Sequence, residues 1–246
     1  MIINLFKRFV KKMARIKIID TAYFHKAQEI SALKKIIKEL NVDVIFDIGA
    51  NAGRYAQMLR RDIGYKGPII SCEPIPNLAS QLRFDASSDS LWFIEECVVS
   101  DSTGNLNFNV AVDRECSSLE IATNKYTTHC AEFVAVEKSI VVNSVTLDEL
   151  LKKWSMKIDF QRPFVKLDTQ GHDLRILLAA KNIQKIVGFQ SELSVKRLYE
   201  DAPKFDVAIN KYIELGFDIS AFISNNGANF LDLVEFDCLM IRRDLI

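Results

Sequence analysis

Residues 44–55 read Val-Ile-Phe-Asp-Ile-Gly-Ala-Asn-Ala-Gly-Arg-Tyr, and this stretch decides the fold. A short apolar run contains Asp47 near its end, turns through Gly49 and Gly53 and opens into a helical pattern. This order predicts a strand, a loop and a helix, with backbone N–H groups at the helix start directed toward a ligand. The stretch therefore predicts the ligand-binding unit of an α/β protein.

The residue type at Asp47 indicates which ligand to expect. A dinucleotide signature, G-x-G-x-x-G, would have glycine there, whereas this chain reads D-x-G-x-x-x-G. A carboxylate would repel a pyrophosphate but suits a ligand that presents an ammonium group. S-adenosylmethionine (SAM) has an amino acid end, a sulfonium and no phosphate, so we predict a SAM pocket. The residues of this stretch that we expect to bind SAM are Asp47, Gly49, Ala50, Asn51, Gly53 and Tyr55.

Size and composition fit one α/β domain with extensions, because 246 residues can bury a substantial core. The formal net charge is zero, so no general affinity for nucleic acid is expected. The five cysteines show no C-x-x-C spacing, which favours a reduced, cytoplasmic setting. No apolar run approaches the roughly 18 residues that span a bilayer, and no signal-peptide pattern is evident.

The first 19 residues carry six basic side chains and no acidic one. Apolar residues recur among them at helical spacing, which predicts a basic amphipathic helix. Such a helix can lie on an anionic membrane surface, which would give peripheral membrane contact through residues 1–20 at the inner face of the membrane. The alternative is a helix that covers the sheet or a partner subunit. The sequence leaves the oligomeric state open.

Short apolar runs alternate with helical patterns after this segment, which predicts a mostly parallel, doubly wound sheet. The predicted strands are 42–48, 68–74, 92–99, 105–112, 132–142, 164–168, 186–193, 217–223 and 236–242. The predicted helices are 23–40, 53–61, one ending near 82, one starting at 146, 172–181 and 203–215. The last two strands are expected to form an antiparallel hairpin at the sheet edge, and Thr146 and Glu149 a capping box.

Acidic residues end several of the predicted strands, and ligands of open α/β sheets bind beyond such ends. Glu73 falls 26 residues after Asp47, near the offset at which an acid binds ribose hydroxyls, and Pro74 fixes the chain beyond it. The alternative is that Glu73 only caps its helix. The residues expected beside the adenine are Glu96, Cys97 and Val98.

Several segments resemble, in the same order, the FkbM-type family of SAM-dependent methyltransferases. They are Phe-Asp-Ile-Gly-Ala-Asn-Ala-Gly at 46–53, Cys-Glu-Pro at 72–74, Val-Val-Ser-Asp at 98–101, Ser-Ser-Leu at 117–119, Val-Thr-Leu-Asp-Glu-Leu at 145–150, Val-Lys-Leu-Asp-Thr-Gln-Gly-His-Asp at 165–173, Gln-Ser-Glu-Leu at 190–193 and Leu-Tyr-Glu at 198–200. The resemblance implies a class I methyltransferase Rossmann-like fold over residues 41–246, with 1–40 as a helical extension. It also implies methyl transfer to oxygen, often a hydroxyl of a sugar or a secondary metabolite.

One departure from the family lies around the fourth strand of the expected parallel sheet. The family commonly reads K-I-D-V-E-G-A-E there, whereas this chain has Gln170 in place of the first Glu and Asp173 in place of the second. His172 is likewise not a fixed family feature. The lost carboxylate is expected either to alter the choice of acceptor or to have had only a structural role.

Methyl transfer to a hydroxyl needs the acceptor oxygen held at attack distance and a base for its proton. His172 is the first candidate base, because a His at a helix N-terminus is expected to stay neutral. Asp168 is expected to orient His172, to bind the methionine ammonium or to be the base itself, and Glu192 is a further candidate. The alternative for His172 is an exposed side chain without a catalytic part.

No metal is expected, because no tight ligand motif such as H-E-x-x-H is present. Asp168, His172 and Glu192 are nevertheless the side chains that could offer ligands to one. Two rival interpretations stay open: an NAD-linked oxidoreductase, which Asp47 opposes, and a non-catalytic SAM-binding scaffold. The sequence predicts a SAM-dependent O-methyltransferase acting on a sugar, glycan or glycolipid-like hydroxyl, with a small secondary metabolite as the alternative acceptor.

Overall fold

The structure, a computed structural model, describes residues 24–123, 135–224 and 233–246. The basic helix predicted over residues 1–20 lies outside these ranges, as does the beginning of the strand predicted over 132–142.

The described residues form ten strands and six α-helices. The strands are β1 (Val44–Ile48), β2 (Ile69–Cys72), β3 (Trp92–Glu95), β4 (Val98–Ser100), β5 (Gly104–Ala111), β6 (Val136–Thr146), β7 (Pro163–Leu167), β8 (Gly188–Ser194), β9 (Phe217–Ser224) and β10 (Glu235–Arg242). The helices are α1 (Phe24–Glu39), α2 (Arg54–Met58), α3 (Pro76–Asp85), α4 (Leu147–Ser155), α5 (Asp173–Ala179) and α6 (Phe205–Glu214).

The central sheet has seven strands in the order β3-β2-β1-β7-β8-β10-β9. The first five strands run parallel, and β10 runs antiparallel to both of its neighbours. This arrangement confirms the mostly parallel, doubly wound sheet with an antiparallel C-terminal edge. A second sheet, in the order β4-β6-β5, lies beside it and pairs β5 with β6 antiparallel.

The single strand predicted over 92–99 is wrong, because the chain changes sheets within it. β3 pairs with β2 in the central sheet, whereas β4 pairs with β6 in the second sheet. Glu96 and Cys97 make the crossing between the apolar residues 92–94 and 98–99. The pair Glu95-Glu96 interrupts the apolar run, but it does not indicate a change of sheet, which is fixed by the different pairing partners of β3 and β4.

Two helices show how apolar spacing builds the core on either side of the sheet. In α4, the residues Leu147, Leu150, Leu151 and Trp154 are buried at the spacing of one helical face. The capping box at its start is present as predicted, since Thr146 accepts a hydrogen bond from the Glu149 amide and Glu149 accepts one from the Thr146 amide.

On the opposite side of the sheet, α1 buries Leu33 and Ile36 in the same cluster as Ile45 of β1, and Leu40, just after the helix, joins them. This packing brings the first turns of α1 to the edge where β1 and β8 end, so that the helix contributes to the cavity described below. Among the described helices, none combines the length and the apolar character that a bilayer crossing requires.

Candidate functional site

A cavity of about 710 Å³ opens at the carboxyl ends of the parallel strands. Its volume lies within the range of roughly 300–1,000 Å³ that is usual for small-molecule sites. The predicted site residues that line it are Gly49, Ala50, Asn51, Tyr55, Glu73, Pro74, Cys97, Val98, Asp168, His172 and Glu192. Those that do not line it are Asp47, Gly53 and Glu96. The structure thus brings most of the predicted residues to one place.

Asp47 lies inside strand β1 and does not line the cavity, which differs from the expectation that it faces SAM. Its side chain is fully buried between β2 and β7. One carboxylate oxygen accepts a hydrogen bond from Ser71 Oγ (3.0 Å), and the other lies 3.7 Å from Lys166 Nζ. Burial raises the pKa of Asp47, although Lys166 opposes this shift. Asp47 therefore lies behind the cavity and does not line it.

The backbone of the glycine loop bonds to the protein itself. Gly49 and Ala50 both donate their N–H groups to the carbonyl oxygen of Cys72, at 3.1 and 3.0 Å. Asn51 donates its N–H to Glu73 Oε2 at 2.8 Å. A pyrophosphate-binding loop would offer such donors to its ligand. These three N–H groups are therefore satisfied within the protein and are not free for a pyrophosphate.

Gly49 is required by close backbone packing. Its φ angle is +78°, in the left-handed region that favours glycine, and a Cβ atom there would collide with the carbonyl oxygen of Asp168. The Asp168 amide in turn donates to the carbonyl oxygen of Ile48 (3.1 Å). The glycine loop and the residue after β7 are thus held against each other, and both face the cavity.

Glu73 follows β2 and is held by two backbone amides. Its Oε2 accepts the bond from Asn51, and its Oε1 accepts one from the Ile75 amide (2.9 Å), immediately before α3. The side chain is 4% exposed, and burial raises its pKa to about 7. Each carboxylate oxygen can accept further hydrogen bonds. Glu73 therefore lies at the cavity, as a ribose-binding residue would, and also accepts a hydrogen bond at the start of the helix that follows it.

Two of the three residues expected beside an adenine line the cavity, and one does not. Cys97 and Val98 line the cavity, whereas Glu96 accepts a hydrogen bond from Arg83 Nη2 (2.8 Å) and does not line it. Two apolar side chains that sequence reasoning missed, Phe108 and Leu119, join this part of the lining. They come from β5 and from the segment after it, which pack next to β4 only in the folded protein.

Asp168 and Glu192 lie close together, and one amide joins them. Nε2 of Gln170 donates to Asp168 Oδ1 (2.9 Å) and to Glu192 Oε2 (2.7 Å), and Oε1 of Gln170 accepts from the Tyr199 hydroxyl (2.9 Å). Lys166 Nζ lies 2.9 Å from Asp168 Oδ2. These contacts place two carboxylates, one cation and one amide at the floor of the cavity.

The electrostatic surroundings of the two carboxylates differ. Burial raises the pKa of Glu192 well above its ordinary value, and the nearby carboxylates of Glu235 and Asp168 raise it further. Burial alone would lower the pKa of Lys166, but the attraction of Asp168 and Asp47 outweighs burial and raises it. Asp168 therefore has a permanent cationic partner, and Glu192 takes up a proton more readily than an ordinary carboxylate does.

His172 is buried, with both ring nitrogens within hydrogen-bond distance of the protein. Nε2 lies 2.9 Å from Ser100 Oγ, and Nδ1 lies 2.7 Å from Glu120 Oε1. The His172 side chain borders the cavity but is buried, so it is not the exposed side chain of the alternative interpretation. Neither ring nitrogen is free to act as a base, because both have partners within the protein. Its contacts join α5 to β4 and to the segment that carries Glu120.

The polar residues of the lining that were not predicted include Glu29, Lys166, Gln190 and Asp237. Gln190 accepts a hydrogen bond from the Tyr55 hydroxyl (3.2 Å) and donates to Glu29 Oε1 (3.0 Å). Burial and the charge of Glu29 raise the pKa of Asp237 to about 7. Lys166 could have been found from its place two residues before Asp168, whereas Glu29 and Gln190 are 161 positions apart and give no local signal.

A metal site is not apparent at this cavity. Within the ranges that the structure describes, no three His, Cys, Asp or Glu side chains are arranged so that they could hold a metal ion. Asp168 and Glu192 are instead joined through the Gln170 amide, and His172 is turned toward Ser100 and Glu120.

Comparison with solved structures supports the fold. The crystal structure of methyltransferase FkbM from Methylobacillus flagellatus KT has a TM-score of 0.50 and 12% sequence identity, and the match covers 80% of this chain and 43% of that one. The chain thus spans less than half the length of that protein. Aeropyrum pernix fibrillarin with bound S-adenosyl-L-methionine has a TM-score of 0.48 at 12% identity, over 90% of this chain and 76% of that one.

A third similar structure is a putative caffeoyl-CoA O-methyltransferase from Staphylococcus aureus, with a TM-score of 0.45 and 9% identity, over 95% of this chain and 90% of that one. No curated protein matches the sequence significantly. The model of the methyltransferase FkbM domain matches residues 47–224, which is more than two thirds of the chain. The chain therefore belongs to the methyltransferase FkbM domain family and has a class I methyltransferase fold.

Proposed function

We propose that this protein is a SAM-dependent O-methyltransferase whose acceptor is a hydroxyl of a sugar, glycan or glycolipid-like molecule. The observation that carries the proposal is the cavity in which Glu73 lies beside the glycine loop while Asp168 and Glu192 lie at its floor. Family membership supports methyl transfer over the NAD-linked oxidoreductase. The resemblance of the sequence motifs is the ground for an oxygen acceptor.

The residues of the cavity suit the parts of SAM. Glu73 is a fixed acceptor for the ribose hydroxyls, since its carboxylate is already oriented by two amides. Val98, Phe108 and Leu119 offer apolar surface to the adenine ring. Asp168 offers a carboxylate to the methionine ammonium. The glycine loop offers few free N–H donors, which suits a ligand without phosphates. When bound, SAM supplies an electrophilic methyl group on a positively charged sulfur.

The chain contributes positioning and proton transfer. An acceptor hydroxyl has a very high pKa, so a base that takes its proton during attack lowers the barrier. Glu192 is the proposed base, because its buried surroundings give it a stronger proton affinity than an ordinary carboxylate. Asp168, held by Lys166, stays available to a cationic or hydroxyl group of the bound molecules. The proton passes from the acceptor oxygen to Glu192 and from there to solvent.

A screen of acceptors tests this proposal. Purified protein with a methyl-labelled SAM is incubated with sugar nucleotides, lipid-linked sugars, glycans and small hydroxylated metabolites. We expect label in a methyl ether of a carbohydrate acceptor. Label found only in the small metabolites would show that the acceptor is a small metabolite and not a carbohydrate. SAM binding without transfer to any acceptor would favour the non-catalytic scaffold.

Binding of S-adenosylhomocysteine (SAH) is expected to depend on pH through Glu73. Ribose hydroxyls donate best to the ionised carboxylate, whose pKa in the free protein is raised to about 7. Affinity should therefore rise with pH and level off above 7, and at pH 6 it should be about tenfold below the plateau. Calorimetric titration at pH 6, 7 and 8 measures this dependence.

Two matched variants distinguish the contribution of Glu73 to this pH dependence from that of another carboxylate of the cavity. Glu73→Gln should bind SAH more weakly at every pH and show a flatter dependence. Asp237→Asn, which removes another carboxyl of pKa about 7, should keep the slope of the wild type. A slope that survives in Glu73→Gln would remove Glu73 from the ribose site.

We also propose that the basic segment of residues 1–20 brings the enzyme to the inner face of an anionic membrane. Each Lys or Arg near such a surface contributes about 1 kcal/mol of attraction. In flotation with phosphatidylglycerol vesicles, the full chain should rise with the lipid, and a variant lacking residues 1–20 should not. Zwitterionic vesicles are the control, and equal flotation of both proteins on anionic vesicles would contradict the proposal.

A further inference from the structure

The Gln170 side chain has a hydrogen bond at each of its polar atoms. Its nitrogen donates to Asp168 and Glu192, and its oxygen accepts from Tyr199. An amide nitrogen carries two protons, so each carboxylate can receive one of them. The opposite orientation of the amide would turn its oxygen toward both carboxylates. The amide is therefore oriented by charge on one side and by the Tyr199 hydroxyl on the other.

The backbone at Gln170 is also held in place. Its φ angle is +54°, which is uncommon for a residue with a side chain. Ser118 Oγ lies 2.8 Å from the Gln170 carbonyl oxygen and 3.2 Å from that of Thr169, and can donate to either. The Tyr199 hydroxyl lies 2.9 Å from the carbonyl oxygen of Cys116 as well as from the Gln170 amide. Contacts from two separate segments thus fix where this side chain lies.

Two carboxylates that face one cavity ordinarily repel each other, and one of them then retains a proton. A donor between them removes part of this repulsion, because each negative charge gains a hydrogen bond. By the resemblance described above, members of the family commonly carry Glu at this position, whereas this chain carries Gln170. A Glu there would add a third carboxylate to the pair and would take away both donated hydrogen bonds.

We propose that Gln170 is a positioning residue that keeps Asp168 and Glu192 from sharing one proton. Asp168 then stays with Lys166, while Glu192 takes the proton of the acceptor hydroxyl. This inference rests on the proposed function. Gln170 acts through the two carboxylates and need not touch the acceptor. Its effect is on the pH range in which Glu192 is ionised and able to accept a proton.

The test compares the pH dependence of kcat/KM for methyl transfer in the wild type, Gln170→Glu and Gln170→Met. Gln170→Glu adds a negative charge beside Glu192, and Gln170→Met keeps the length of the side chain but donates nothing. In both variants the rising limb of the profile should move to higher pH, by about one unit in Gln170→Glu. On that limb, a shift of this size lowers the rate at fixed pH about tenfold.

Gln81→Met is the matched control, because the Gln81 amide donates to Asp85 on α3 and does not line the cavity. The rising limb of this variant should lie at the same pH as that of the wild type. Rising limbs at the wild-type pH in both Gln170 variants would overturn the inference, and so would an equal shift in Gln81→Met. If Gln170→Glu does not fold, as judged by thermal unfolding, Gln170→Met decides alone. A wild type that neither binds SAH nor transfers methyl would instead overturn the proposed function.

Discussion

Replacing Glu192 with Gln is expected to lower kcat for methyl transfer by about 10²- to 10⁴-fold, which is the usual contribution of a general base. The amide has nearly the same size as the carboxyl, and its oxygen can still accept the bond from Gln170. It cannot take up the proton of the acceptor. The affinity for SAH should change by less than about threefold, because the loss is confined to proton transfer.

The measurement combines a labelled-methyl assay with calorimetric titration of SAH. The matched control is Glu235→Gln, because Glu235 is a neighbouring carboxylate that does not line the cavity and accepts a hydrogen bond from Ser194 (3.1 Å). It should retain most of its activity. A Glu192→Gln variant with wild-type turnover, or one that loses SAH affinity alone, would show that Glu192 is not the base.

Replacing Gly49 with Ala is expected to destabilise the fold by several kcal/mol and to abolish measurable SAH binding. The added Cβ meets the carbonyl oxygen of Asp168, which is backbone and cannot move aside without shifting β7. The positive φ angle adds about 1–2 kcal/mol of strain for any residue with a Cβ. Denaturant unfolding and SAH titration measure the two effects.

Gly64→Ala is the matched control for Gly49→Ala. Gly64 has nearly the same φ angle, +79°, but a Cβ atom there would meet no atom within 4 Å. Its variant should therefore show the conformational strain without the collision, a loss of about 1 kcal/mol, and should bind SAH normally. Equal losses of stability in the two variants would contradict the close packing of the glycine loop against Asp168.

Much of the fold could be predicted because the features that specify it are local. Alternating apolar strands and helices indicated the parallel sheet, and the last two strands indicated the antiparallel edge. The capping box at Thr146 and Glu149 depends on residues only three positions apart. The change of sheet between β3 and β4 could not be predicted, because it depends on which distant strand each segment pairs with.

The candidate site divides in the same way. Glu73 and Asp168 follow strand ends, and the position of a strand end can be estimated from a short apolar run. Whether a carboxylate within a strand faces the cavity depends on the neighbouring strands, which is why Asp47 was assigned to the ligand although it lies between Ser71 and Lys166. The partners of His172 come from segments 72 and 52 positions away, so its burial had no signal in the sequence.

The structure gives a physical explanation for what Gln170, a departure from the family pattern, does in this chain. In the sequence, Gln170 was only a missing carboxylate with two possible consequences. In the structure, its nitrogen lies within 3 Å of both Asp168 and Glu192 and its oxygen receives the Tyr199 hydroxyl. The exchange of an acid for an amide thus changes the hydrogen bonding of both Asp168, which we assign to SAM, and Glu192, which we assign to the acceptor.

The most direct test of the central claim is a crystal structure of the protein with bound SAH. We expect the ligand in the cavity at the carboxyl ends of the parallel strands, with its ribose hydroxyls on Glu73 and its adenine against Val98 and Phe108. A ligand bound elsewhere on the protein, or in this cavity with its ribose away from Glu73, would contradict the account.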